Sequence, residues 1–205
     1  MLKWIALVLM TGDHVHKVLL HGAAPWLEDA GRIVFPIFAF VLGSNLWQAS
    51  PGATDRALRR LVVAGVLIQP LHALVFGAWL PLNILLTLAA GVYVASTQSL
   101  WRAVLCLLVG SFFLDYQWAG VGFVLACAMF QRWHGWRACL ALACGMFGLC
   151  WFNGNAWALL ALPLLWCFRS LRGDVPRGRW TFLGYYAAHL AVLAGFASIL
   201  GESMQ

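Results

Sequence analysis

Charge is what this sequence has least of. Only 10% of its 205 residues are charged, 63% are hydrophobic, and the mean hydropathy is +0.83. An ordinary soluble domain has about 25% charged residues and about 45–50% apolar ones. A soluble globule of this length leaves roughly a quarter to a third of its surface in water, more than these few polar side chains can cover. The scarcity excludes a soluble enzyme, a disordered chain and a secreted disulfide scaffold. The solvent that suits this composition is lipid.

Other absences narrow the chemistry. The six cysteines (Cys106, Cys127, Cys139, Cys144, Cys150 and Cys167) lie in apolar stretches without C-x-x-C spacing, so they read as small buried hydrophobes. There is no Walker loop, no Rossmann glycine fingerprint, no H-E-x-x-H and no G-x-S-x-G. Nucleotidase, zinc-protease and serine-hydrolase chemistry of the usual kinds is unsupported, and no metal is expected. No repeat with a period of roughly 20–50 residues, no linker and no low-complexity segment divides the chain, which reads as one domain over 1–205. The N-terminal apolar run is broken by Asp13, His14, His16 and Lys17 and lacks a small-residue cleavage site, so it reads as a retained helix and not as a signal peptide.

What is present is length of apolar run. Stretches at about 3–21, 31–49, 58–77, 82–97 and 182–200 approach the roughly 17–25 residues that a membrane-spanning helix needs. The apolar region 101–168 is divided at Asp115, Gln131 and Phe152 into four pieces of about 13–17 residues, short for full spans. The expected fold is all-α, a polytopic membrane bundle of about nine transmembrane helices.

The basic residues orient it. Lys3, Arg56, Arg59, Arg60, Arg102, Arg132, Arg137, Arg169, Arg172, Arg177 and Arg179 fall on one side of such a bundle, leaving only Lys17 and Arg32 of the 13. That asymmetry puts the N-terminus in the cytoplasm and the C-terminus in the periplasm. The net charge of +6 and pI near 9.3 therefore read as orientation and not as nucleic-acid binding. The 12 Trp and 20 Gly suit membrane interfaces and helix packing.

Ionisable groups inside a bilayer cost about 2.5–3.5 kcal/mol or more each, so each one is a candidate for function. The first helix carries Asp13, His14, Lys17 and His21 on one face, with His16 to the side. Asp13 and Lys17 are spaced to pair. His14 falls roughly 16 Å along the helix from Lys3, and His189 roughly 10 Å along the last helix from Phe182. Two imidazoles at comparable depth can take up and return a proton near neutral pH. Lys17, His16 and His21 read equally well as side chains reaching the interface. Arg32, His72, Asn83, Asp115, Tyr116, Asn153 and Asn155 lie toward the same outer half. Arg32 reads either as an interface anchor or as a functional group, and the asparagines as caps or as ligands. Arg169, Arg177 and Arg179 determine topology first, although a guanidinium also grips phosphate as a fork.

Several segments in order resemble the TraX family of conjugation proteins. They are the Asp13-His14 pair, GRIVFPIFAFVLG from Gly31, RALRRLVVAGVLIQP from Arg56 and LNILLTLAAG from Leu82. DYQWAGVGFVLA from Asp115 and RGRWTFLGYYAAHL from Arg177 complete the set. The chain departs from the family pattern at His16 and Lys17, where Ile-Gly is more usual. The resemblance implies a multi-pass inner-membrane protein that modifies conjugative pilin, with acetyl-CoA-dependent N-terminal acetylation as the reference activity. It extends to TrbP-type pilin-maturation proteins and, more distantly, to membrane acyltransferases that move acyl groups across a bilayer.

On that footing His14, Asp13, His189 and Arg32 are the catalytic candidates. His14 would be a base oriented by Asp13, and His189 or Arg32 would polarise the thioester carbonyl. Arg177, Arg179 and Arg169 would hold the phosphates of acetyl-CoA, and Lys17, His72, Asn83, Asp115 and Tyr116 would contact substrate. Processed pilin and the lipid bilayer are the expected partners. Two other readings of the same residues stay open: a non-acetylating pilin maturation or assembly subunit, and a small proton-coupled transporter. The second lacks a visible inverted repeat.

Overall fold

The computed structural model describes residues 2–47, 52–133, 135–169 and 181–202. They form ten α-helices and two short 3₁₀ turns: α1 (Leu2–Val18), α2 (Pro25–Gly31), α3 (Val34–Trp47), α4 (Ala53–Phe76), α5 (Ile84–Ser96), α6 (Leu100–Leu108), α7 (Gln117–Arg132), α8 (Trp136–Asn153), α9 (Ala161–Arg169) and α10 (Thr181–Glu202). No strand occurs among the described residues. Helices α4 and α10 are long and apolar enough to cross a membrane. By contrast α6 and α9, with 9 residues each, rise only about 14 Å and are extended by the 3₁₀ turns Gly110–Phe113 and Trp157–Leu160.

The short α2 is the element absent from the sequence expectation. Pro25 sits at its start, where the missing N–H is harmless, and Glu28 complements the helix dipole in the first turn. Helix α1 correspondingly ends at Val18, and His21 lies beyond it at φ 45 in an exposed turn, off the face shared by Asp13 and Lys17.

Side-chain pairings fix the direction of the helices. Thr11 meets Tyr185 and His14 meets His189, so α1 and α10 run parallel. Phe35 stacks on Tyr116 and Ser44 bonds Gln131, so α3 and α7 run parallel. Gly91 faces Val124 and Thr87 faces Gly120, which aligns α5 with α7. Gly65 faces Leu86, and Gly145 faces Phe123, which sets α4 against α5 and α8 against α7. Glycine is needed at the tightest of these crossings: a Cβ on Gly91 would lie 2.4 Å from Val124 Cβ.

Two ends follow. Lys3, Arg60 and Phe182 line one cleft at the basic end. His14, Arg32, His72, Asn83, Asp115, Asn153 and His189 gather toward the opposite, histidine end.

Ten tryptophans divide between the same ends, all of them exposed. Trp4, Trp101, Trp133, Trp136 and Trp166 ring the basic end, and Trp26, Trp79, Trp118, Trp151 and Trp157 ring the other. Arg102, Arg132 and Arg137 each sit 5.3–5.5 Å over the ring of a sequence-adjacent tryptophan at the basic end. Between the rings, α4 turns Val62, Val63, Val66, Leu67 and Leu74 outward.

Candidate functional site

The buried face of α1 opposes α10 across two polar contacts. Thr11 donates to the Leu7 carbonyl at 2.9 Å, so its oxygen is left to accept from the Tyr185 hydroxyl at 2.7 Å. One turn on, His14 Nδ1 and His189 Nε2 lie 2.8 Å apart, with the rings stacked at 15°. The hydrogens of this pair follow from a third partner. His189 Nδ1 lies 3.1 Å from the Tyr185 carbonyl, which only accepts, so Nδ1 carries a hydrogen. In the neutral ring Nε2 then holds a lone pair and accepts from His14 Nδ1–H. His14 Nε2 is left with its own lone pair, the requirement for a base.

Asp13 does not take part in this. Its Oδ2 accepts from Lys17 Nζ at 2.8 Å, the i,i+4 pair that the spacing suggests. Adjacent helix positions diverge by about 100°, so a carboxylate at 13 points away from an imidazole at 14. The group that orients His14 is His189 and not Asp13. Both nitrogens of His189 are thereby occupied, which removes it as a donor to a substrate carbonyl. The Asp13 side chain packs instead on Gly31, where a Cβ would come within 2.6 Å of Asp13 Cβ.

Next to Gly31, Arg32 donates to Glu28 Oε1 at 2.6 Å and to Asn153 Oδ1 at 3.3 Å. Its guanidinium lies beside Tyr116 and within electrostatic reach of Asp13. His16 is buried and fastens the α1–α2 turn: its Nδ1 accepts from the Ala24 N–H at 3.2 Å, and its Nε2 faces Glu28 at 3.7 Å. It does not reach toward an interface.

On the other flank of His14, the ring of Phe76 stands edge-on at 5.2 Å and is itself 4.7 Å from the ring of His72. His72 therefore sits one ring away from His14 and does not touch it. Asn83 is fully buried and fully employed: its side chain caps α5 through Leu85 N–H and donates to Gly65 O and Gln69 Oε1. It is a helix cap and not a substrate contact, because no bonding capacity points into open space. Asp115 lies in the turn before α7, where its Oδ1 accepts from the Tyr116 N–H and its backbone carbonyl from Thr87. Burial pushes its carboxyl up to about 6, opposed first by the charge of Lys17. Tyr116, at φ 59, stacks on Phe35 at 4.5 Å.

The structure thus joins His14 to His189 and places Arg32 on the Asp13 side of the same helix end. Arg177 and Arg179 lie outside the described residues, and Arg169 ends α9 with its side chain likewise outside the description. Tyr185, Phe76, Gln69 and Asn153 are partners that the sequence did not single out as site residues. Only Tyr185 carried a signal, standing four residues before His189 on one helix.

At the basic end a cleft of about 190 Å³ opens between α1, α3, α4 and α10. Lys3 and Arg60 line it beside an apolar floor that includes Phe38, Leu61 and Phe182. Phe38 and Phe182 meet edge to face at 4.5 Å.

Comparison with known proteins covers nearly the whole chain. The family profile described as "TraX protein" matches residues 1–197. Protein TraX of Escherichia coli strain K12 is 29% identical over 214 residues, covering 96% of this chain and 86% of that protein. The uncharacterized protein RP591 of Rickettsia prowazekii is 30% identical over 91 residues, 44% of this chain and 34% of that protein. No solved structure matches.

Proposed function

Since the chain belongs to the TraX family, we propose that it is a multi-pass inner-membrane acetyltransferase that transfers the acetyl group of acetyl-CoA to the N-terminal amine of conjugative pilin. Family membership implies a role in conjugative pilin maturation. The observation that carries the chemistry further is the His14–His189 hydrogen bond, whose hydrogens are ordered by the Tyr185 carbonyl so that His14 Nε2 is a free base. The two tryptophan rings and the outward apolar stripe of α4 support the membrane setting, with the basic end toward the cytoplasm.

The amine nitrogen attacks the thioester carbonyl. The new N–C bond forms as the C–S bond breaks. His14 Nε2 takes the amine proton and the departing thiolate receives it, so the enzyme ends unchanged. His189 holds the His14 ring in the productive orientation and shares the transient charge through Nε2. Arg32 stabilises the carbonyl oxygen as it becomes an oxyanion. The cleft at Lys3 and Arg60 suits the phosphates of the donor, with the apolar floor toward the pantetheine arm. Lys3 and His14 are separated by about 16 Å along α1, so the arm reaches the histidines by parting Phe38 from Phe182.

The test is the intact mass of the cognate pilin. His14→Ala leaves the protein inserted and the pilin lacking one acetyl group. Pilin acetylated to the wild-type extent by this variant overturns the proposal.

A further inference from the structure

The two ends of the bundle treat their cations differently. At the histidine end Lys17 pairs with Asp13 and Arg32 with Glu28. At the basic end Arg102, Arg132 and Arg137 are exposed and make neither an ion pair nor a hydrogen bond with another described residue. Each lies instead 5.3–5.5 Å over the ring of its neighbour, Trp101, Trp133 or Trp136. The reason lies in the sequence: no Asp or Glu occurs between Asp55 and Asp115, or between Asp115 and Asp174. Helices α6, α7 and α8, and the helices α3 and α5 packed on α7, therefore carry no carboxylate. Asp115 precedes α7 at its opposite end, about 22 Å of helix from Arg132.

Local helix energetics do not call for these charges. Arg132 closes α7, where a cation complements the helix dipole. Arg102 and Arg137 lie in the first turns of α6 and α8, where the dipole disfavours a cation and no acidic residue offsets it. A tryptophan ring is a weak partner for an exposed guanidinium and does not use up its five N–H donors. Three guanidiniums thus keep their bonding capacity for an anion from outside the chain.

The surroundings define which anion. Trp101, Trp133 and Trp136 are each more than half exposed, and Leu100, Val104 and Leu105 on α6 and Leu140 on α8 turn outward close by in sequence. A phosphate approaching these arginines has apolar surface beside it, which suits a headgroup joined to acyl chains better than a free ion. Tryptophan favours the headgroup level, and a guanidinium forks onto phosphate oxygens. We propose that the three arginine–tryptophan pairs form a docking surface for the headgroups of anionic phospholipids, at the start of α6 and around the α7–α8 turn. None of these six residues lines the cleft at Lys3 and Arg60, so the two sites are separate. The assignment rests on the membrane setting proposed above and not on acyl transfer.

The experiment uses the full chain reconstituted in phosphatidylcholine vesicles. Spin-labelled phosphatidylglycerol and spin-labelled phosphatidylcholine report, by the immobilised part of their spectra, which lipid the protein surface holds. An arginine beside an anionic headgroup layer is worth about fivefold in association, and the wild type is expected to prefer phosphatidylglycerol by about that factor. The triple variant Arg102→Gln, Arg132→Gln, Arg137→Gln is expected to fall below about twofold. If it does not insert, the three single variants take its place, each with a lowered preference. Arg59→Gln removes an exposed charge of the same end, one turn after Asp55, and is expected to keep the wild-type preference.

Equal holding of the two lipids by inserted wild type overturns the docking surface while the membrane setting stands. A wild-type preference in the triple variant, or in all three single variants, overturns it as well. An Arg59→Gln variant that loses as much as the triple one assigns the attraction to net charge, and the surface is wrong. A chain that enters neither kind of vesicle overturns the membrane setting, and the surface falls with it.

Discussion

His189→Ala separates a catalytic imidazole pair from a packing contact. His189 is 8% exposed, so its removal does not bring bulk water to His14. The immediate loss is the acceptor for His14 Nδ1–H, and a buried donor left without a partner costs about 1–3 kcal/mol. Little is lost at Tyr185, whose carbonyl lies within α10 and keeps its helical partner. For a chain of about 150–250 residues each kcal/mol lowers the midpoint by roughly 2–4 °C, so a drop of several degrees is expected.

The kinetic effect is larger. Without the Nε2 acceptor the His14 ring turns freely and its lone pair no longer faces a fixed direction. Loss of a positioned proton acceptor is worth about 10²–10⁴ in rate. His189→Gln returns an amide oxygen that can accept from His14 Nδ1–H. It should recover most of the stability and part of the rate. The assay is a time course of pilin-peptide mass, with thermal unfolding monitored on the same preparations. Wild-type kcat in His189→Ala, together with a lowered midpoint, would refute the catalytic pairing and leave the contact a helix clamp.

Three other outcomes follow from packing and charge. Asn83→Ala removes the cap of α5 and two buried bonds, and should destabilise by about 2–4 kcal/mol in thermal unfolding with kcat retained in the surviving protein. Gly91→Ala drives a methyl into Val124 and should cost about 1–3 kcal/mol, whereas Gly184→Ala, with nothing within 4 Å of its Cβ, should unfold at or slightly above the wild-type temperature because alanine is the better helix former. Arg60→Glu reverses charge at the cleft and should raise KM for acetyl-CoA at least tenfold with kcat at saturation unchanged; an unchanged KM would remove the cleft from the donor's path.

The helices were legible because apolar runs long enough for helices are separated by short polar stretches. Their ends moved by a few residues for local reasons: α4 begins at Ala53 because Gly52 turns the chain at φ 74 just before it and Asp55 complements the helix dipole in the first turn, and α1 stops at Val18 ahead of the turn at His21. Helix α2 was not legible, since seven residues carry less than two full periods of any pattern. The histidine pair was half legible. Matching depths of His14 and His189 could be counted along two helices, but which helices are neighbours could not.

Asp13 shows the limit most clearly. Adjacency in sequence suggests that it orients His14, while helix geometry turns the two apart and gives the carboxylate to Lys17. Asn83 shows the converse: its side chain looks available until Gly65 and Gln69 are brought against it.

Composition and spacing alone set the apolar character of the chain, the helical class and the asymmetry between a basic and a histidine-bearing end. These properties depend on composition and on spacing along one chain, and scarcity of charge made each exception stand out. Only the tertiary structure decided which polar groups meet. Hydrogen bonds between α1 and α10 join residues 174 and 175 positions apart, and no local pattern encodes a partner at that separation. The roles of His189 as orienter, Asn83 as cap and Asn153 as companion of Arg32 exist only once the helices have packed, because each is defined by what an atom on another element offers or takes.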